Sequence, residues 1–307
     1  MASPRISVIV VSDYADERGE WTDERRMLEA LRAQDIGEPF EIVLASREDS
    51  KPSFPPSLTE IAPRCRAIFL PYTSSSQLKD AALPFTTGSL VAVFEADAPP
   101  QPNWLRLLTD ALDRDETASA ISGRTIYGHD TAIKRVAGLL DRGYLERKGF
   151  GPIGFVCNNG ALYRREFLAA HPYGDEPNPF ISGRMRSLRM AEAGKLLFHP
   201  EAIAVHHFGG LPFFREVRRN QGFNEGRWAY LERGGRFPAG RLPLQLYLSI
   251  IKLKCDILTS WMAARGFIYP YDWPLLAGMM LVCRIAEWRG MTAGLSGRPN
   301  LPATRYR

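Results

Sequence analysis

The chain has 307 residues, 45% of them hydrophobic and 24% charged, which is enough apolar material for a full-sized core and excludes an intrinsically disordered chain. Cys65, Cys157, Cys255 and Cys283 lie far apart with no CxxC pair, a spacing that excludes a zinc-finger module and reads as free thiols in a reducing compartment. The net charge of +5 is uneven: residues 201–307 hold 15 Lys and Arg against 7 Asp and Glu, so the +8 of that stretch leaves the first 200 residues at −3 and points to an anionic partner surface.

The apolar run that ends at Asp13 is too short for a secretory signal core and lacks a cleavage pattern, so a cytoplasmic protein is expected. Within that run, Ile6 to Ser12 shows no amphipathic period and suits a strand buried on both faces. Met27, Leu28 and Leu31, spaced by charged residues, predict a helix over 23–34. Strands follow at Phe40 to Ala45, Ala67 to Leu70 and Ser89 to Phe94, each bounded by Pro, Gly or Ser clusters. Pro99 and Pro100 then block any extension of the last strand and force an exposed turn. Leu105, Leu108 and Leu112 mark a helix over Trp104 to Leu112.

A strand near Thr125, a helix over Ile133 to Leu140 and a strand over Gly154 to Cys157 are read next. A helix over Met185 to Ala193 precedes two short strands, Leu196 to Phe198 and Ala202 to Val205. This alternation predicts an α/β fold with a mostly parallel, doubly wound sheet flanked by helices, over residues 1–210.

Residues 211–307 read as a helical, apolar and basic C-terminal extension. Gln221 to Arg233 is a basic helix, and Leu242 to Trp261 and Trp273 to Trp288 are apolar segments edged by Lys, Arg, Trp and Tyr. The uncharged run from Trp273 to Cys283 falls short of the roughly 20 residues that span a bilayer, so these segments suit helices lying on a membrane surface, or else ordinary amphipathic helices packed on the domain.

Glu95 and Asp97 stand at the end of the fourth strand, where alternate residues leave on the same side and converge on one ion. Hard cations such as Mg²⁺ or Mn²⁺ take oxygen ligands from one or two carboxylates and complete their shell with phosphates. In open α/β sheets ligands bind outside the carboxyl ends of the strands, which is where this pair lies.

Five segments in order resemble glycosyltransferase family 2: ISVIVVS, LRAQDIGEPFEIVLA, VAVFEADAPPQPNWL, NNGALYRREFL and RSLRMAEAGKLLFHPEAIAVHH. The resemblance covers about 200 residues. It implies a GT-A-like fold and transfer of a sugar, with a UDP-sugar the favoured nucleotide-diphosphate donor, to a polysaccharide or lipid-linked acceptor, with Mn²⁺ or Mg²⁺ as cofactor. It puts Glu95 and Asp97 at the acidic positions of a DxD motif, with glutamate in place of the first aspartate, and both near the donor. His206, with His207 the alternative, falls where the family carries a histidine that completes the metal site or touches the diphosphate.

By the same resemblance Val11, Ser12 and Tyr14 match the base-binding strand end, and Glu48 stands as a base or ribose contact. Asn158 and Asn159 open the acceptor segment, where their amides bind sugar hydroxyls or simply form a turn. The Glu-Asp pair that supplies the family's general base lies about seven residues before the position of Arg189, and here those places read Ser182 and Gly183. Asp175 and Glu176 are the replacement candidates for the catalytic base, since the acceptor hydroxyl must still lose a proton. The other function carried forward is a non-catalytic GT-A-like binding or scaffold protein. Nucleic-acid binding is not expected, because the basic residues of the tail are interleaved with apolar runs and no readout motif is present.

Overall fold

The computed structural model describes residues 4–12, 20–72, 74–143, 149–157, 159–174, 179–232, 234 and 268–297, without side chains at 179–182, 184 and 232. Tyr14, Asn158, Asp175, Glu176, Cys255 and the apolar segment Leu242 to Trp261 lie outside the described residues.

Among the described residues eight strands form one sheet: β1 (Ile6–Ser12), β2 (Phe40–Arg47), β3 (Cys65–Leu70), β4 (Leu90–Glu95), β5 (Ala118–Ile126), β6 (Gly151–Pro152), β7 (Ala161–Arg164) and β8 (Lys195–Val205). Their spatial order is β3-β2-β1-β4-β7-β5-β8-β6. The half built from β3, β2, β1 and β4 is parallel, and β7 then enters antiparallel between β4 and β5. Eight helices are described: α1 (Thr22–Arg32), α2 (Ser75–Ala82), α3 (Trp104–Arg114), α4 (Ala132–Arg142), α5 (Arg165–Ala170), α6 (Pro179–Ala193), α7 (Gly210–Glu232) and α8 (Trp273–Leu295).

The Ile- and Val-rich text of β1 has the expected consequence. Ile6, Val8 and Val10 enter the core on one face of the sheet with Met27, Leu28 and Trp104, while Ile9 and Val11 enter the core on the other face with Leu78 and Tyr163. A strand covered on both faces is apolar except where a polar side chain finds a partner, as the Ser7 hydroxyl does on Glu41 and that of Ser12 on Glu24.

Three readings of the sequence are corrected. Residues 154–157 form no strand: the place beside β4 goes to β7, and the Cys157 amide bonds to the Ser122 hydroxyl at 2.8 Å instead of joining a ladder. The two short strands after α6 are one strand, Lys195–Val205. Helix α2 was not read at all, because its serine-rich stretch offers little apolar periodicity; Ser74 caps it by accepting from the Gln77 amide.

Two compact units divide the chain, residues 1–125 with 147–206 and residues 126–146 with 207–307. The first contains nearly all of the sheet. In the second, α4, α7 and α8 share a core that includes Tyr127, Val136, Phe214, Met279 and Cys283. Arg135 of α4 is held by both carboxylate oxygens of Asp272 at 2.9 Å. Among the described residues no helix is long and apolar enough to cross a membrane. Cys65, Cys157 and Cys283 are free, and burial pushes the Cys65 thiol up to about 12 and the Cys283 thiol up to about 11.

Trp104 is fully buried, with its ring 4.6 Å from that of Phe94, so it supports β4 just before the turn that carries Asp97. Trp104→Ala is expected to lower the free energy of unfolding by about 3–5 kcal/mol, read from urea unfolding of the full chain.

Candidate metal and diphosphate site

Strand β4 ends at Glu95 and the chain turns at once, with the Ala98 amide bonded to the Glu95 carbonyl at 3.2 Å. Leaving that turn, the chain runs antiparallel against the end of β8. The Val205 amide donates to Pro99 O at 2.9 Å, the Gln101 amide donates to Ile203 O at 2.8 Å, and Pro100 pairs with Ala204. This register fixes where β8 ends and sets the next residue, His206, against the turn, with Nε2 3.4 Å from Asp97 Oδ2. One ligand atom from each of Glu95, Asp97 and His206 lies within 4.8 Å of the others. All three side chains are partly buried.

Two carboxylates and an imidazole are donors that could hold a divalent cation. His206, rather than the exposed His207, is the histidine of this group.

The carboxylates are not equivalent. Glu95 Oε1 lies 2.6 Å from the ammonium of Lys79 and accepts from the Ser75 hydroxyl at 3.1 Å. Its Oε2 accepts from the Asn159 amide nitrogen at 3.3 Å, and its backbone amide donates to Asn159 Oδ1 at 3.0 Å. The Lys79 side chain is only 2% exposed. A buried ammonium repels a second cation, so toward a bound cation Glu95 would be the weaker of the two acids and Asp97 with His206 the better pair. The extra methylene of glutamate over aspartate gives the carboxylate the reach to make this ion pair.

The remaining sequence candidates fall as follows. Val11 is fully buried and its side chain belongs to the core. The Ser12 hydroxyl is turned inward to the buried carboxylate of Glu24, and its carbonyl accepts from Ser46 Oγ at 2.8 Å. Neither side chain is presented to a ligand, because a central strand buried on both faces offers only its end. Glu48 is exposed at the start of the 3₁₀ turn Glu48–Ser53, directly after β2. Asn159 is buried and its carboxamide is engaged by the backbone and side chain of Glu95. Arg164 donates to the Ala118 and Leu112 carbonyls and Arg165 to Thr86 Oγ1, and both brace the fold.

Sequence reasoning missed Lys79, Ser75, Asp80 and Arg186. Asp80 follows Lys79 on α2, and its carboxylate accepts from the amides of Tyr173 and Gly174, both at 3.0 Å. Burial raises the pKa of Asp80 against those two hydrogen bonds and the nearby charges of Arg186 and Lys79. Arg186 of α6 is fully buried; its guanidinium stands 4.1 Å from the Tyr173 ring centre and 4.9 Å from that of Tyr163. Its Nε donates to the His171 carbonyl at 2.6 Å. Burial also raises the Tyr163 and Tyr173 phenols, which therefore stay neutral. The one sequence signal for this group was the cap at Ser74, which starts a helix and so sets Lys79 and Asp80 side by side in its second turn.

No curated protein sequence matches the chain. Among solved structures, the mannosyltransferase PcManGT from Pyrobaculum calidifontis, in complex with GDP-Man and Mn²⁺, is similar with a TM-score of 0.57 at 19% identity, over 96% of this chain and 86% of its own. TarS 1-349 of S. aureus, in complex with UDP-GlcNAc, is similar with a TM-score of 0.50 at 13% identity, over 96% of this chain and 92% of its own. At these identities the likeness concerns the fold, which is GT-A-like with a mixed sheet, parallel through β3, β2, β1 and β4. Residues 18–171, half of the chain and including both acids of the β4 turn, match the family described as glycosyl transferase family 2, and the chain belongs to that family.

Proposed function

We propose that the protein is a metal-dependent hexosyltransferase that moves a sugar from a nucleotide-diphosphate sugar to a polysaccharide or lipid-linked acceptor at a membrane surface. The observation that carries this reading is the convergence of Glu95, Asp97 and His206 at the carboxyl end of β4, where an α/β sheet binds ligands. A divalent cation bound there supplies positive charge to the diphosphate that leaves when the glycosyl bond breaks.

The chain's own groups divide the remaining work. Asp97 and His206 hold the cation position, and the Lys79 ammonium adds a fixed positive charge behind Glu95. Asp80 and Arg186 brace residues 171–174 from beneath through backbone groups. The mannosyltransferase neighbour carries GDP-Man and the TarS neighbour UDP-GlcNAc, so nucleotide-diphosphate sugars are the shared donor chemistry while the base differs. The basic, apolar character of residues 201–307 supports a lipid-linked or membrane-held acceptor.

One observation favours a second reading, a non-catalytic binding protein: Ser182 and Gly183 stand where the family keeps its acidic base pair. Sugar transfer by the wild type that disappears in Asp97→Ala would exclude it.

Two measurements address the metal site. Isothermal titration with UDP and GDP in Mn²⁺ is expected to show tight binding that EDTA weakens at least tenfold and that Asp97→Asn weakens to a similar degree, about 1.4 kcal/mol or more. Binding indifferent to both treatments would remove the metal from the reading. Lys79→Met leaves the Glu95 charge without its ammonium and is expected to destabilise the metal-free protein by about 3 kcal/mol. The same variant should bind Mn²⁺ about tenfold more tightly, so Mn²⁺ raises its melting temperature more than that of the wild type; equal shifts would show that Lys79 has no influence on the cation position.

A further inference from the structure

Helix α8 has its polarity reversed relative to a helix that faces water. Two of its three charged residues turn inward, all but Arg289: Glu287, only 4% exposed, is paired with Arg218 of α7 and with Arg284. Asp141 of α4 joins the same interior, accepting from Gln221 and from the Tyr127 hydroxyl, each at 2.8 Å. The outward side carries the apolar residues instead. Leu281 is 59% exposed, Val282 50% and Ile285 45%, and one and two turns earlier Gly278, Ala277 and Pro274 continue the same stripe up to Tyr271, 71% exposed. A surface helix in water shows the opposite arrangement, with charge outside and the apolar stripe on the core.

The contact between α7 and α8 is also of the kind found where water does not drive helices together. Each helix contributes a Gly-x-x-x-Gly pair, Gly222 with Gly226 and Gly290 with Gly294, and a Cβ at any of the four would strike the backbone of the facing helix. Close backbone approach over small residues, with a buried ion cluster beside it, is how helices associate in an apolar phase. The charge of the region matches one such phase. After Ile268 the only acids are Asp272 and Glu287, both buried, and residues 201–307 carry +8 in all.

We infer that the outer face of α8, from Tyr271 to Ile285, is the seat of this protein on an anionic lipid bilayer, lying in the plane of the surface. Tyr271 stacks on Tyr269 with ring centres 5.1 Å apart at the start of the stripe, and exposed Arg289 follows its end. Aromatic rings at headgroup depth and arginines toward lipid phosphates are the two anchors such a helix uses. The inference rests on the membrane half of the function proposed above and not on its metal chemistry.

The test is co-sedimentation of the full chain with vesicles of phosphatidylglycerol and phosphatidylcholine, without donor or metal, against a variant with Leu281→Ser, Val282→Ser and Ile285→Ser. The wild type is expected to bind, more weakly to pure phosphatidylcholine, and the triple variant to lose at least tenfold in partition while still binding nucleotide diphosphate. A wild type that stays in the supernatant, or a variant that binds vesicles equally, overturns the inference. So does a wild-type dimer in sedimentation velocity that the triple variant disperses, since the face then belongs to a second copy. Should the triple variant fail to fold, Val282→Trp provides the reading: vesicles should shift its added fluorescence to the blue and brominated lipid should quench it, and neither change would also overturn the assignment. Retained nucleotide binding with no vesicle binding would leave the transferase reading standing.

Discussion

Two backbone hydrogen bonds, Val205 to Pro99 and Gln101 to Ile203, fix how the chain leaving β4 meets the end of β8. The rest of the site depends on that register. A slip by one residue would exchange the faces of the side chains around Ala204 and carry His206 away from Asp97. Proline suits the crossing: Pro99 and Pro100 have no amide to donate, and Pro99 enters it as an acceptor only. The turn that places Asp97 is thus held from outside, by a strand more than a hundred residues later in the chain.

Helix α2 supplies a second constraint, by sending adjacent residues to different tasks. Lys79 goes to the carboxylate at the end of β4, and Asp80 goes to the backbone at Tyr173 and Gly174. Each buried charge on α2 is matched locally, Lys79 by Glu95, and Asp80 by two amides with the Arg186 guanidinium nearby. A pair of this kind contributes little net stability over apolar residues of the same volume, but removing one member is costly, so it fixes geometry more than it adds free energy. Glu95 is thereby engaged with Lys79, while Asp97 and His206 face each other across the turn.

Much of this fold could be read in the sequence, for reasons that differ by element. The run from Ile6 to Ser12 had one physical solution, a strand covered on both faces, and β4 had the same clarity up to Glu95. Asp97 and His206 were legible because their neighbours resemble a known family; strand periodicity alone would not have joined residues so far apart. The Gly154 to Cys157 segment misled because its composition suits a strand, whereas pairing depends on an open neighbour, and β7 fills the position next to β4. Lys79 was hidden for a related reason. A lysine among Ser, Gln and Asp reads as solvated, and only the packing of α2 over the sheet shows that its ammonium is enclosed beside Glu95. Asn159 read as a turn or a sugar contact until its carboxamide was seen to bridge the backbone and side chain of one residue.

The two units obey different rules of burial. In the first, apolar residues line both faces of the sheet, and the buried ions are local pairs at the strand ends. In the second, the tight crossing of α7 and α8 places Arg218 and Glu287 inside while Leu281, Val282 and Ile285 stay outside. A buried ion pair is a poor source of stability in water, where the same space filled by apolar side chains does at least as well. Keeping the charges inside and the leucine, valine and isoleucine outside is a sensible arrangement only if the outer face meets something other than water. The same comparison explains why a single hydropathy profile could not separate the readings for residues 273–288. The mean apolarity of the segment is similar for a packed amphipathic helix and for one lying on lipid, and only the direction of its charges, fixed by the glycine contacts with α7, distinguishes them.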